Sequence, residues 1–454
     1  MEQNKLLSEL YGFTQLRNGQ REIIEAADRG EDILALLPTG GGKSLCYQLP
    51  VLMKGGRALV ITPLVSLMED QVAELKRLKI KAVCIHSFLD SQEKRIIFNQ
   101  LNQFQFIFCS PEWLRTPRAR TFIASMSFSH IVIDEAHCIS EWGYDFRPHY
   151  LLLNELIEYF SSAQVMALTA TANEKTIDDI QRLLNRKLNV IDYRTIRENI
   201  FLKVLPAAES NKMELLQHIL PGAGPTIIYF SSKRLCDDIH IELMASGFKG
   251  MTYHSDMNYE DRMTVQLSFH NDAIQYVCAT SAFGMGINKK NIRTVIHYHV
   301  PKSKFQYVQE IGRAGRDGAP SQAVLLYHPD DLNIAYHFLE DSRLTERELQ
   351  FYLDGIQLDE EKHELLAILT RRFSVNELKR ILNEEKYTKY AAIEEMKNYG
   401  SRMTCLTGLL YDVKGPCQHC SVCMGDQTFD FQTSVKLLPQ QDYKDYINSL
   451  FMSS

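Results

Sequence analysis

The sequence predicts an α/β protein: two tandem lobes built on parallel sheets, followed by a small helical module that carries a cysteine cluster. Three observations lead there. Short, almost wholly apolar runs alternate with helix-forming stretches, which is how buried parallel strands between crossover helices read. A strip from Pro206 to Pro225, with Gly222, Ala223 and Gly224, interrupts that series and reads as a linker or its edge. Four of the ten cysteines then crowd into residues 405–423.

The strands follow in order. Asp32–Leu37 is a short apolar run entered from a Gly/Asp turn, and Ala58–Thr62, Phe106–Ser110, Ile131–Ile133 and Val165–Thr169 extend the first lobe. Thr226–Phe230, Gln275–Thr280, Thr294–His299 and Gln322–Tyr327 build the second. Helical patterns at Glu346–Gly355 and Glu361–Arg372 precede the cysteines. The expected organisation is lobe 1 over 1–205, lobe 2 over 206–335, the helical module over 336–425 and a short tail over 426–454. A chain of 454 residues with 45% apolar content suits that division. No run approaches the roughly 20 apolar residues of a membrane helix, so a cytoplasmic enzyme without a membrane partner is the expectation.

The first lobe carries the chemistry. Leu37-Pro-Thr-Gly-Gly-Gly-Lys-Ser44 joins the first strand to a helix that starts at Lys43. Unpaired N–H groups of Thr39, Gly40, Gly41 and Gly42, together with the helix dipole, make an anion cradle. Lys43 would reach the β/γ-phosphates of a nucleoside triphosphate and the Ser44 hydroxyl would ligate Mg²⁺. The strict motif opens with glycine, where this chain has Leu37. Ile131-Val-Ile-Asp-Glu-Ala-His137 then delivers two carboxylates from a strand end, where open α/β sheets place ligand groups. Asp134 suits the Mg²⁺, and Glu135 is the natural base for the attacking water. His137 either makes a structural hydrogen bond or links this site to a nucleic-acid site.

The second lobe has no such lysine but carries Gln309-Glu-Ile-Gly-Arg-Ala-Gly-Arg-Asp317. Guanidinium groups neutralise charge on a transferring phosphoryl group. Arg316 is the candidate finger, Arg313 contacts phosphate or supports it, and Gln309 belongs to the same catalytic set. Gly312, Gly315 and Gly318 suggest close backbone approach. Two lobes gripping one ATP would make hydrolysis open and close a cleft.

A nucleic-acid partner must be reconciled with an acidic chain: 50 Lys+Arg face 56 Asp+Glu, a formal charge of −6. A motor needs only a local track, and stacking on aromatics contributes roughly 1–3 kcal/mol per base. Glu141-Trp-Gly-Tyr-Asp-Phe-Arg147 supplies such a surface; core packing is the alternative for its Trp and Phe. The only other tryptophan, Trp113, also falls beside a motif, which favours function. Ser66, Ser110, Thr280 and Ser281 stand in motif loops suited to phosphate contacts. Cys405, Cys417, Cys420 and Cys423 follow the pattern C-x11-C-x2-C-x2-C. Two-residue gaps let thiolates converge on one tetrahedral ion, the structural form of a Zn²⁺ site. His419 is expected to be a bystander, and the six remaining cysteines to be small buried hydrophobes.

These motifs, in this order, resemble the RecQ family of superfamily 2 DNA helicases from about residue 8 through about residue 425. Gly12-Phe-Thr-Gln-Leu-Arg-Asn-Gly-Gln20, P-T-G-G-G-K-S-L-C-Y-Q at 38–48 and T-P-L-V-S-L-M-E-D-Q at 62–71 open the series. S-P-E at 110–112, D-E-A-H followed by W-G-Y-D-F-R-P to 148, and L-T-A-T-A at 168–172 complete the first lobe. I-Y-F-S at 228–231, A-T-S-A-F-G-M-G-I-N at 279–288 and Q-E-I-G-R-A-G-R-D-G at 309–318 mark the second.

The resemblance implies RecA-like lobes and a zinc-binding helical module. It implies that Phe13 stacks on adenine, where tyrosine is more usual, and that Arg17 and Gln20 hold the nucleotide. Thr169 and Thr171 would couple the lobes, and the loop 141–147 would sense single-stranded DNA through Trp142, Phe146 and Arg147; Tyr144 stands where histidine is common. Residues 424–454 are too few for the winged-helix domain that family members place after zinc, so a short form is expected. The implied function is an ATP-dependent DNA helicase moving 3′→5′ on single-stranded or tailed duplex DNA, in recombination and repair. An RNA helicase of the D-E-A-H type and an ATP-switched DNA-binding module that unwinds poorly are the alternatives.

Overall fold

A computed structural model describes residues 2–63, 65–86, 89, 91–114, 116–140, 148–283, 289–342 and 344–431. The chain divides into two compact units. The first is Met1–Thr195 with Ser342–Asn383, and the second is Ile196–Asp341 with Glu384–Ser454.

The first unit holds seven strands: β1 (Ile33–Leu36), β2 (Ala58–Ile61), β3 (Ala82–Ile85), β4 (Phe106–Cys109), β5 (His130–Asp134), β6 (Gln164–Thr169) and β7 (Asn189–Asp192). They form one sheet in the order β3-β4-β2-β5-β6-β1-β7, with every pairing parallel. Side chains alternate between its faces. Leu34, Leu59, Ile61, Ile107, Ile131 and Ile133 enter one core, and Ile33, Ala35, Val60, Phe108 and Val132 enter the other. Both faces are covered by helices, which is why these strands read as continuous apolar runs.

Register places the site. Leu36 pairs with Thr169 and Leu168 with Asp134, so the phosphate-type loop and the carboxylate pair leave the sheet on either side of β6. The backbone N–H of Leu37 then donates to the Thr169 carbonyl at 3.1 Å.

The second unit repeats the principle with β8 (Ile200–Pro206), β9 (Thr226–Tyr229), β10 (Gly250–Tyr253), β11 (Tyr276–Ala279), β12 (Thr294–His297) and β13 (Ser321–Tyr327). Their order is β10-β11-β9-β12-β13-β8, again all parallel. Four strands went unpredicted: β3, β7, β8 and β10. Lys203 in β8, together with Asn189 and Asp192 in β7, breaks the apolar run that marks a buried strand; Thr252 does the same in β10.

Two expected boundaries need correction. The strip Pro206–Pro225 is not a linker between lobes. Its first residue closes β8, and a helix over Glu209–Ile219 follows within the second unit. The glycines serve close approach instead: a Cβ on Gly222 would lie 3.2 Å from the Phe429 carbonyl, and one on Gly224 2.7 Å from the Arg293 side chain. Residues past the cysteines dock there. Phe431 N–H donates to the Gly222 carbonyl at 2.7 Å, and Phe429 packs on Phe201 with ring centroids 5.3 Å apart.

The segment 336–425 is likewise not one module. The helices Glu346–Leu353 and Glu360–Arg372 belong to the first unit. Thr345 and Glu348 cap the earlier helix reciprocally. Asp359 caps the later one at 2.8 Å, and Lys362 bridges to Glu348 at 2.6 Å. Leu365, Leu366, Ile368 and Leu369 fall at helical spacing and bury into the core beside Leu151 and Leu183. Each such side chain contributes roughly 1.5–3 kcal/mol. Arg372 secures the attachment by donating to the carbonyls of Leu151 and Leu183. Charge on the outer faces of these helices disguised which lobe their apolar stripes would seek.

Candidate functional site

Gly42 caps the helix Lys43–Met53 in the left-handed region, with φ 78°, a conformation that favours glycine; the Gly41 N–H, expected to be unpaired, instead donates to the Pro38 carbonyl at 2.9 Å and closes the turn. Two residues from the preceding segment brace that loop from behind. Arg17 donates to the Gly40 carbonyl at 2.7 Å, and the Gln20 amide to the Gly41 carbonyl at 2.9 Å. Gln20 is buried and also accepts from the Arg17 backbone at 2.8 Å. Arg17 and Gln20 therefore hold the loop itself. Phe13 stands half exposed on the same segment, available for stacking, and Thr39 opens the loop.

The Lys43 ammonium lies 2.7 Å from Glu135 Oε1, with both side chains largely buried. The other Glu135 oxygen is 3.3 Å from His137 Nδ1, and His137 Nδ1 is 2.8 Å from the Thr169 hydroxyl. Glu135 adopts φ 50°, a left-handed backbone that a non-glycine residue takes at a cost of about 1–3 kcal/mol and that clusters at functional sites. Asp134 sits beside it, buried, accepting the Glu135 N–H at 2.9 Å. Burial and the neighbouring Glu135 charge push its carboxyl upward, against the pull of Lys43. A divalent cation at this place would restore the ionised form. The Ser44 hydroxyl completes the group and accepts from the Gln71 amide at 2.6 Å. Two acidic side chains, a hydroxyl and a lysine thus converge at one end of the sheet, a donor set that fits Mg²⁺ with a triphosphate.

Thr169 receives His137 on one side and donates to the Thr171 carbonyl at 3.0 Å on the other. His137 makes a structural hydrogen bond and also touches the Glu135 carboxylate. Ser110 accepts from the Trp113 N–H at 3.3 Å. Trp113 itself is a core residue, stacked on Phe98 with centroids 6.4 Å apart. Its packing there accounts for Trp113 without a nucleic-acid contact. The Ser66 side chain lies outside the described residues, as do Trp142, Tyr144, Phe146 and Arg147.

In the second unit, Arg313 is buried and hydrogen-bonds the Tyr229 phenol, which donates to the Phe283 carbonyl at 2.7 Å. Gly315 shows why glycine is required: φ is 54°, and a Cβ would meet the Asn199 amide at 2.4 Å. Asn199 and Arg197 donate to the Gly315 carbonyl at 2.9 and 2.5 Å and so hold this turn. Gln309 and Arg316 are partly exposed on the same segment, and Thr280 and Ser281 follow β11 on its surface. Sequence reasoning gave no role to Gln71 and Tyr229, although both fall inside quoted motif stretches, and did not single out Arg197 and Asn199. Only tertiary contact gives them roles.

The four C-terminal cysteines come together. The Sγ atoms of Cys405, Cys417, Cys420 and Cys423 all lie within 4.8 Å of one another. Backbone N–H groups point at the sulfurs: Gly408 to Cys405, Cys417 to Cys423 and His419 to Cys417, each at 3.4 Å. The Thr407 hydroxyl adds a contact to Cys417 at 3.1 Å. Donors of this kind favour thiolates, so the cluster fits a structural Zn²⁺. His419 contributes backbone to the site, and its carbonyl accepts from Leu202 at 2.7 Å. Of the other cysteines, five are buried and Cys84 is partly so.

Comparison with known proteins identifies the family. Residues 17–180 fit the DEAD/DEAH box helicase family and residues 211–318 the helicase conserved C-terminal domain. The chain is 39% identical to a probable ATP-dependent DNA helicase RecS of Bacillus subtilis, over 79% of this chain and 73% of that protein. It is 40% identical to the ATP-dependent DNA helicase RecQ of Haemophilus influenzae, over 80% of this chain and 58% of that one. The chain belongs to the RecQ family.

RecQ of Bacillus subtilis is 38% identical over 76% of the chain, which spans 59% of it; the chain thus covers little more than half of these RecQ relatives. Among solved structures, the Mycobacterium smegmatis helicase Lhr bound to ssDNA and AMP-PNP aligns with a TM-score of 0.62 at 19% identity, over 86% of this chain and 56% of Lhr. Saccharomyces cerevisiae Dbp5 bound to RNA and ADP BeF3 gives 0.61 at 15%, over 84% and 97%. These show the shared fold of two parallel-sheet α/β lobes. Among the described residues no helix is long and apolar enough to cross a membrane.

Proposed function

We propose that the chain hydrolyses ATP with Mg²⁺ and uses the cycle to move 3′→5′ along single-stranded DNA, separating duplex strands, in recombination and repair. The observation that carries this reading is the convergence of Lys43, Glu135, Asp134 and Ser44 at a loop braced by Arg17 and Gln20. Its family membership supplies DNA as the substrate class.

In this reading Lys43 exchanges Glu135 for the β/γ-phosphates, because a polyphosphate carries more charge than one carboxylate. That exchange frees Glu135 to take the proton of the attacking water. His137 and Thr169 then register the change at the Glu135 carboxylate. Ser44 and Asp134 would hold Mg²⁺, which would supply neutralising charge to the phosphates. Phe13 stacks on adenine, Gln309, Arg313 and Arg316 serve the transferring phosphoryl group, and Ser66, Ser110, Trp142, Phe146, Arg147, Thr280 and Ser281 contact DNA. Zn²⁺ held by the four cysteines would be structural, since four sulfurs would leave no open position.

One unwinding assay tests the proposal. DNA and RNA duplexes are offered with and without a 3′ tail, and ATP hydrolysis is followed in parallel. Unwinding of the 3′-tailed DNA alone is the expected result. DNA-stimulated hydrolysis with no strand separation would replace it with an ATP-switched binding module, and equal activity on RNA would remove the DNA assignment.

A further inference from the structure

The helix Lys43–Met53 buries Gln48 to 1% exposure, where leucine would pack without needing partners. A buried amide persists when its hydrogen bonds are made, and those of Gln48 run in one direction. Its Oε1 accepts from the Tyr11 hydroxyl at 3.0 Å, and its Nε2 donates to Gln71 Oε1 at 3.2 Å. That Gln71 oxygen also accepts from the Tyr47 hydroxyl at 3.3 Å, which fills both of its lone pairs. With its oxygen so occupied, Gln71 turns Nε2 toward Ser44 Oγ at 2.6 Å.

The ends of this chain of bonds are informative. Ser44 is the hydroxyl assigned to Mg²⁺, and it reaches Gln71 on a different helix, Val65–Arg77. Tyr11 is the last residue of the N-terminal helix Glu2–Tyr11 and directly precedes Gly12 and Phe13. A serine side chain left alone samples several rotamers. One donated bond fixes its oxygen and leaves a second lone pair for a cation. Bonds in series also polarise one another, so a change at Tyr11 is felt at Ser44.

We propose that Gln71 is a positioning residue for Ser44, and that the Tyr11–Gln48–Gln71 chain ties the magnesium-ligating hydroxyl to the segment at the adenine end of the site. The inference rests on the nucleotide-binding reading above and deepens it. Recognition of the base at Phe13 and ligation of the cation at Ser44 become one linked event within the first unit.

The test measures affinity of a fluorescent non-hydrolysable ATP analogue for the full chain, once with Mg²⁺ and once with EDTA. The native chain should bind more tightly with Mg²⁺. Gln71→Leu keeps the volume but removes the bonds, and should diminish that Mg²⁺ gain by roughly tenfold, as loss of an outer-shell partner does. Tyr11→Phe removes one hydroxyl at the far end and should diminish it by roughly threefold. Affinity in EDTA should stay at the native value in both variants. A native-like Mg²⁺ gain in both variants would overturn the inference alone, as would equal weakening with and without Mg²⁺, which marks a merely structural role. Absence of any Mg²⁺ gain in the native chain would instead sink the nucleotide site itself. Should Gln71→Leu fail to fold, Tyr11→Phe decides by the same two measurements.

Discussion

Glu135 holds Lys43 through one carboxylate oxygen at 2.7 Å and faces His137 through the other at 3.3 Å. One side chain therefore stands between the lysine that would anchor phosphate and the histidine that reaches Thr169. Such a bridge must break on one side whenever phosphate claims the lysine.

That exchange predicts how substitutions divide binding from turnover. Lys43→Ala should lower affinity for the nucleotide and abolish hydrolysis, because the phosphate anchor is gone. Glu135→Gln should keep nucleotide binding and slow turnover by on the order of 10²–10⁴, the usual range for a lost general base. Fluorescent-analogue binding and steady-state phosphate release separate the two. Turnover by Glu135→Gln near the native rate would move the base elsewhere.

Among residues 141–147, Trp142→Ala should uncouple DNA from hydrolysis. The stimulated rate would fall to the rate without DNA while ATP affinity stays near native. Phosphate release measured with and without single-stranded DNA reports this. Unchanged stimulation would take Trp142 out of the DNA site.

Metal removal should act on the second unit. The Leu202 N–H bond to the His419 carbonyl places the cysteine segment on the edge strand β8. Chelation or Cys420→Ser would loosen that cover and expose unpaired strand groups. The expected outcome is a thermal midpoint lower by on the order of 10 °C for this unit, with zinc content falling in step. Nucleotide binding by the first unit serves as the internal control and should persist.

Acid should also weaken the second unit through His299. Burial, with Lys212 nearby, lowers its imidazole from 6.5 to about 4, with Glu209 opposing. Above pH 6.5 the ring is neutral whether folded or not, and it contributes nothing to pH dependence. As pH falls through that value the unfolded chain takes up a proton that the folded chain refuses. Stability therefore declines between about pH 6.5 and pH 4, by up to roughly 3 kcal/mol at the acid end. Urea unfolding at pH 7 and pH 5 measures the slope, and His299→Gln should flatten it. An unchanged slope in that variant would place the titrating group elsewhere.

Legibility followed chemistry. Lys43, Ser44, Asp134, Glu135 and the four cysteines could be read because phosphate, divalent cation and thiolate each demand particular side chains at short spacing, and short spacing survives without a fold. The apolar strands β1, β2, β4, β5 and β6 could be read for the related reason that burial on both faces leaves no room for polar residues. β8, with Lys203 inside it, could not. Neither could the attachment of Glu360–Arg372, since an amphipathic stripe states that a partner exists without naming it. Gln71 closes the T-P-L-V-S-L-M-E-D-Q stretch at 62–71, but no spacing in that stretch gives it a task; its bond to Ser44 at 2.6 Å does.

By itself the sequence determined the two parallel sheets, the glycine loop, the carboxylate pair and the cysteine cluster, because local composition and spacing carry their physical causes. Tertiary structure alone decided that residues 342–383 return to the first unit, that the Gly222–Gly224 strip receives the chain near Phe431, and that Tyr11, Gln48 and Gln71 line up on Ser44. Those outcomes depend on which apolar faces and which unpaired polar groups meet across long separations. Such meetings are settled by packing, and no window of sequence contains both partners.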